Sequence, residues 1–213
     1  MINHELSKRI ISSLILIPLM TYAVLFKPFF FKLILIILFL IALIEWIKLI
    51  NNNLLKILGL LFITFSFYSA FIIFDNMYGE FFYSILIICI ATDIGGYVFG
   101  KAIKGPKLTK ISPNKTYSGV IGSFLLPIII FYLINSSKNL YMSNFQFNLE
   151  LILFISLISQ IGDLIISYFK RIYKIKDTGN IIPGHGGLLD RIDGMLFVFP
   201  SVYLTLSARI LFF

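Results

Sequence analysis

Residues 150–193 read ELILFISLISQIGDLIISYFKRIYKIKDTGNIIPGHGGLLDRID. The first part is predominantly apolar and about long enough to cross a bilayer as a helix, at roughly 1.5 Å per residue. The character then changes abruptly. Between Ser167 and Asp193 lie three of the chain's ten carboxylates, five of its eighteen Lys/Arg, one of its two His and four Gly. A second apolar run starts at Ile192. Apolar helices joined by short polar loops, with the charge gathered beside a glycine-rich turn, is the pattern of a membrane protein whose chemistry sits at the membrane edge.

The rest of the chain agrees. Of 213 residues, 59% are hydrophobic and 13% charged, and the mean hydropathy is +0.96. A soluble domain carries about twice that charged fraction. The expected fold is all-α, a polytopic transmembrane bundle of about seven spans near 10–26, 30–50, 55–74, 81–100, 117–134, 150–169 and 192–212. Unbroken apolar runs exclude the alternation of a membrane β-barrel. Residues 1–80 are expected to form N-terminal transmembrane helices, and 81–213 a catalytic region. The first run follows Lys8 and Arg9 like a signal peptide, but no small-x-small cleavage site precedes Lys27, so it is expected to remain as a span. The net charge of +8 is spread over short loops, which argues against a nucleic-acid surface. The single Cys89 gives no disulfide framework.

With the N-terminus in the cytoplasm, fourteen Lys/Arg fall inside and only Lys27, Lys32, Lys138 and Arg209 fall outside. The positive-inside rule fixes that orientation, and it turns loops 101–116 and 170–191 to the cytoplasm. Aromatic residues near span ends, such as Trp46, Tyr78 and Tyr141, read as interfacial anchors. Asn51–Asn53 reads as a polar turn.

Four carboxylates lie in or at the edge of spans: Glu45, Asp93, Asp163 and Asp193. An acid at membrane depth is costly and marks a functional candidate. Glu45, beside Trp46 and Lys48, reads as a near-interface residue. Gly95, Gly96 and Gly100 after Asp93 suit close helix packing, which explains the glycines but not the acid. In the sixth span Ser156, Gln160, Asp163, Ser167 and Lys170/Arg171 recur every three or four residues and share a face. Such a stripe either glues helices or leads toward a site at its charged end.

Beyond it stand Lys176, Asp177, the turn Pro183–Gly187, Asp190, Arg191 and Asp193. Glycines let backbone N–H groups approach an anion. Lys and Arg suit phosphates, and carboxylates suit Mg²⁺ bridging to phosphate oxygens. His185 either donates to a phosphate or holds the turn. The loop Lys107–Gly119 contains Ser-Pro-Asn-Lys-Thr at 112–116, more than topology requires. It reads as a second anion-binding element, with Thr116 or Ser118 capping the next helix.

At these residues the chain resembles the CDP-diacylglycerol synthases, or phosphatidate cytidylyltransferases. Their signature is matched at every fixed position, by Ser167, Phe169, Lys170, Arg171, Lys176, Asp177, Gly179, Ile182, Pro183, His185, Gly186, Gly187, Leu188, Asp190, Arg191, Ile192 and Asp193. Upstream, Asp93–Tyr97 and Ser112–Thr116 fit the family's further motifs, and Lys8-Arg9 and Glu45-Trp46 its weaker N-terminal pattern. The resemblance covers most of 93–193. It departs where many members are longer at the N-terminus, and where Ser118 follows Tyr117 in place of an acid.

The resemblance implies a reaction of CTP with phosphatidic acid to give CDP-diacylglycerol and pyrophosphate, dependent on Mg²⁺ with room for a second cation. It implies Asp163 and Asp190 as leading metal ligands, and Asp93, Asp177 and Asp193 as further ligands or orienters. Lys170, Arg171, Lys176, His185, Arg191 and the loop residues Ser112, Lys115 and Thr116 are assigned to phosphates and catalysis, with Ser167, Gly186 and Gly187 beside the substrate. The expected setting is the bacterial inner membrane with the site facing the cytoplasm, as a monomer or homodimer. A transporter would not need Lys-Arg and His-Gly-Gly at one edge. A CDP-alcohol phosphatidyltransferase would need Asp-Gly-x-x-Ala-Arg, which is absent. Other lipid phosphates as acceptors stay open.

Overall fold

The computed structural model describes residues 21, 22, 24, 27–76, 78–109, 112, 115–136, 148–175, 177–179 and 186–208. They form six α-helices: α1 (Pro28–Leu49), α2 (Asn53–Asn76), α3 (Tyr78–Ile103), α4 (Tyr117–Ser136), α5 (Leu149–Ile172) and α6 (Leu189–Ala208). No strand occurs among the described residues; Lys107 and Thr116 form an isolated bridge. Helices α1 to α5 are long and apolar enough to cross a membrane. Helix α6 carries Asp190, Arg191 and Asp193 in its first turns and does not share that character over its full length. The expected first span, 10–26, falls mostly outside the described residues.

The chain divides into two compact units. One holds the described residues of Met1–Tyr83 and Phe169–Asp193. Within it α1 packs on α2. Pro28 opens α1 at a position where a missing N–H costs nothing, and Asn52 caps α2 by accepting the Leu55 N–H at 3.2 Å, as the polar turn implies. Phe31, Phe74 and Phe82 form an aromatic core, with ring centroids 4.7–5.6 Å apart. The opposite face of α1 exposes Leu33, Ile36, Ile37, Leu40, Ile44 and Ile47, a surface suited to lipid rather than water. Trp46 is not an interfacial anchor. It is buried, donates its indole N–H to the Lys56 carbonyl at 3.2 Å and meets the Phe169 ring edge-on. Gly59 leaves the room it occupies.

The other unit holds the described residues of Ser84–Tyr168 and Gly194–Phe213. Here α3 and α4 cross backbone to backbone. A Cβ on Gly119 would lie 2.8 Å from the Gly96 carbonyl oxygen, and one on Gly122 would lie 2.6 Å from that of Gly95. The glycines after Asp93 therefore do serve close packing. A Cβ on Gly194 of α6 would fall 3.0 Å from the Ser159 carbonyl of α5. Thr92 and Ser156, both buried, hydrogen-bond at 3.1 Å. The buried face of α5 repeats at helical spacing, through Leu151, Ile155, Ser159, Gly162 and Ile166.

Candidate active site

In the first unit the site is built where α5 ends and α6 begins. Helix α5 stops in a Schellman turn. The Ile175 N–H reaches the Lys170 carbonyl at 3.0 Å and the Lys174 N–H reaches that of Arg171 at 3.1 Å. Lys174 takes the left-handed position, φ 55°, where glycine is usual. Of the residues that follow, Asp177–Gly179 are described, with a bend at Thr178, and α6 starts at Leu189.

Asp190, in the first turn of α6, collects this region. Its Oδ1 pairs with the Lys170 ammonium at 2.7 Å. Its Oδ2 accepts the backbone N–H of Thr178 (2.7 Å) and of Gly187 (3.1 Å), and lies 3.1 Å from the Thr178 hydroxyl. Only 5% of the Asp190 side chain and 14% of the Lys170 side chain are exposed. Burial pushes the Asp190 carboxyl up, but the Lys170 hydrogen bond and charge with the Thr178 and Gly187 amides outweigh it and hold it below its ordinary value.

A second carboxylate serves the same turn from α1. Glu45 Oε1 accepts the Leu188 N–H at 2.9 Å, and Oε2 accepts the Leu189 N–H at 2.8 Å. The Thr178 hydroxyl is 3.2 Å from Oε2. Glu45 is 2% exposed, so beyond its reading as a near-interface residue it is a buried partner of the turn, with its donors supplied by the protein. The glycine-rich turn thus directs these amides to the protein's own anions. Gly186 adopts φ +86°, which favours glycine. Gly187 is needed for space, since a Cβ there would lie 2.6 Å from the Gly179 nitrogen.

Of the other expected residues in this unit, Arg171, Asp177 and Arg191 are exposed and Asp193 is buried. Lys176 and His185 lie outside the described residues.

The second unit brings together Lys115 and Asp163, whose ammonium and Oδ2 are 2.5 Å apart. Ser167 donates to Asp163 Oδ1 at 3.2 Å, one helical turn on. Lys115 is held by its own loop. Its N–H reaches the Ser112 carbonyl (3.1 Å), and its carbonyl accepts the Leu108 N–H (2.8 Å). Thr116 caps α4 by accepting the Gly119 N–H at 3.1 Å. Its hydroxyl also meets that of Ser118, which in turn donates to the Lys104 carbonyl. Asp93 is exposed on α3.

Could these residues take Mg²⁺? Carboxylate oxygens are the right donors, and Asp163 and Asp190 already sit beside cations. Among the described residues no three His, Cys, Asp or Glu side chains converge on one point. Here the Asp190 oxygens are taken by Lys170, Thr178 and Gly187, and those of Asp163 by Lys115 and Ser167, so an ion would have to share them with these donors and take its other ligands from water and substrate phosphates.

Sequence reasoning missed two members, Glu45 as a partner of the turn and Thr178. An acid in an apolar helix was a signal for the first. A hydroxyl between Asp177 and Gly179 gave little for the second.

Comparison with known proteins bears on the same segment. Residues 54–208 match the model of the cytidylyltransferase family. The chain is 37% identical to a phosphatidate cytidylyltransferase of Rickettsia bellii over 212 residues, 94% of this chain and 90% of the relative. A phosphatidate cytidylyltransferase of Rickettsia conorii is 36% identical over 92% of this chain and 89% of its own length. One from Staphylococcus aureus is 42% identical over 129 residues, 58% of this chain and 47% of the relative. With a helical membrane fold and a family match across most of its length, the chain belongs to the cytidylyltransferase family.

Proposed function

We infer that the protein is a phosphatidate cytidylyltransferase, joining CTP and phosphatidic acid to give CDP-diacylglycerol and pyrophosphate. The observation that carries this is the 37% identity to the Rickettsia bellii enzyme across 94% of the chain. The polar clusters support it chemically.

An oxygen of the phosphatidate phosphate forms a bond to the α-phosphorus of CTP. The bond from that phosphorus to the oxygen bridging to the β-phosphate breaks, and pyrophosphate leaves with it. The attacking oxygen is already ionised at neutral pH, so no strong general base is required. The demands are in-line placement and neutralisation of charge between two anions. Lys170, Arg171, Lys176, His185 and Arg191 are proposed to meet phosphate oxygens, as are Ser112, Lys115 and Thr116 of the 101–116 loop. Ser167, Gly186 and Gly187 are proposed to shape the substrate's surroundings, and Asp177 to orient the loop cations. Mg²⁺, with Asp163 and Asp190 as leading ligands and Asp93 and Asp193 behind them, would supply further neutralisation, and a second cation has acidic groups to meet. The buried Lys170–Asp190 pair shows how this chain keeps a cation fixed in a region of low exposure, where its field is stronger than in water.

The finer topology belongs to the same reading: seven spans in the bacterial inner membrane, the N-terminus inside, residues 1–80 as N-terminal spans and 81–213 as the catalytic region. CTP is cytosolic, which suits loops 101–116 and 170–191 facing the cytoplasm, and a homodimer is compatible with it. The test is detergent-purified protein given labelled CTP, phosphatidate and Mg²⁺. The expected result is CDP-lipid and pyrophosphate in equal amounts, both lost with EDTA. Transfer only to another lipid phosphate would change the acceptor and keep the chemistry. No cytidylyl transfer to any lipid phosphate by folded protein would refute the function.

A further inference from the structure

Glu45 lies in the apolar helix α1, 133 to 144 residues before the groups it meets. Nothing about spanning a membrane calls for a carboxylate there, and burying one is costly unless its acceptor sites are filled. They are filled: both oxygens take a backbone N–H from the start of α6, and Thr178 approaches one of them. The chain also clears space around it. A Cβ on Gly179 would lie 2.7 Å from Oε1, and one on Gly187 would lie 2.8 Å from Oε2.

The partners of Glu45 are neighbours of the partners of Asp190. Thr178 is shared: its hydroxyl lies 3.2 Å from Glu45 Oε2 and 3.1 Å from Asp190 Oδ2, and its single proton serves one of them at a time. Gly187 donates to Asp190 while the next two residues donate to Glu45. Asp190 in turn holds Lys170. The register of the first turn of α6, and with it the place of the Lys170 ammonium, is thereby tied to a residue on a different helix.

We propose that Glu45 is a positioning residue for cytidylyl transfer: it pins the Gly187–Leu189 turn so that Asp190 holds Lys170 where phosphate is met. This rests on the reading of Lys170 and Asp190 as site residues. Glu45 itself touches no reacting atom. Its effect is on the geometry of groups that do, where misplacement by about 1 Å can cost about a hundredfold in rate.

The experiment uses the full chain in detergent, with kcat and KM measured separately for CTP and phosphatidate, and with backbone hydrogen exchange read across residues 186–196 and 149–168. Glu45→Gln is the main variant, since it keeps the shape but turns an NH₂ toward one of the two amides. The expected result is a fall in kcat of about tenfold to a hundredfold, with KM changed far less. Exchange should quicken at 186–196 and stay as it was at 149–168. Glu45→Asp, which keeps the charge on a shorter arm, should recover part of the rate. Should Glu45→Ala fail to fold, the Gln and Asp variants carry the test. Wild-type kcat with unchanged exchange at 186–196 in Glu45→Gln would overturn the proposal. Wild-type activity in both Lys170→Ala and Asp190→Asn would instead remove the site reading, and the proposal with it.

Discussion

Replacing Asp190 by Asn separates what the Lys170–Asp190 pair does for folding from what it does for chemistry. Asp190 faces four donor contacts: the Lys170 ammonium, the Thr178 and Gly187 amides and the Thr178 hydroxyl. Asn has one acceptor oxygen and an NH₂ group. If its oxygen stays with the two amides, the NH₂ faces an ammonium and a charge-assisted bond of about 1.5–3 kcal/mol is lost. Lys170 also keeps its charge with 14% of its side chain exposed, which moves the cost toward the roughly 3–5 kcal/mol of a broken buried pair. Residual solvent contact argues for the lower end, about 3 kcal/mol. At about 2–4 °C per kcal/mol for a chain of this size, the thermal midpoint in detergent should fall by about 6–12 °C. Adding Lys170→Met removes the stranded cation. The double variant should come back to within about 1 kcal/mol of wild type, yet cytidylyl transfer should stay lost in Asp190→Asn, in Lys170→Met alone and in the double variant. A midpoint for Asp190→Asn within about 1 °C of wild type, or a double variant as unstable as the sum of the singles, would refute this account of the pair. Restored transfer in the double variant would refute its place in the site.

Acid should act through the same carboxylate. Because Asp190 is held below its ordinary value, the folded state keeps the charge where the unfolded chain takes a proton. The stability this gives is full above the ordinary carboxylate pKa of about 4 and is lost as pH falls through the lowered value. Thermal midpoints measured from pH 6 to 3 should fall less steeply in Asp190→Asn than in wild type. Gly187→Ala should cost about 1–3 kcal/mol by overpacking, since its Cβ would sit 2.6 Å from the Gly179 nitrogen. Gly186→Ala should cost about 1–2 kcal/mol from its left-handed backbone, with its nearest Cβ contact at 3.3 Å. A thermal midpoint for Gly187→Ala equal to that of wild type would contradict the crowding described at Gly187. Lys174→Gly should raise stability by about 1 kcal/mol, through relief of the left-handed residue at the end of α5, with transfer unchanged, as scanning calorimetry and the CTP assay would report.

Helix placement was legible because a bilayer imposes length. All six described helices start within three residues of the positions expected from hydropathy, from Pro28 against 30 to Leu189 against 192. The Ser167–Asp193 stretch also announced itself, since charge is scarce in this chain and most of its neighbours are apolar. Its internal pairing was less visible. The turn's glycines suggested amides aimed at a ligand, whereas those of Gly187, Leu188 and Leu189 reach Asp190 and Glu45. Glu45 was obscured by its setting, because Trp46 and Lys48 beside it suggest a membrane surface. Hydropathy reports a residue's neighbours in sequence, and Glu45 takes its meaning from partners more than 130 positions away. The loop lysine Lys115 was expected to meet an anion; its pairing with Asp163 depends on tertiary contacts that periodicity within one helix does not encode.

The glycine crossing of α3 and α4 has a mechanical consequence. Much of the contact there is main chain, with the Gly96 carbonyl against Gly119 and the Gly95 carbonyl against Gly122, beside the Phe99 side chain and the Ser123 hydroxyl. Side chains can change rotamer to absorb a shift, but a carbonyl lying against a Cα has no such slack. The junction behaves as a weld rather than a bearing. The described ends of the loop that joins these two helices are held together by the Lys107–Thr116 bridge. Lys115 thus stands beside the closed end of that loop, next to the two helices in close contact, rather than at the tip of an isolated arm.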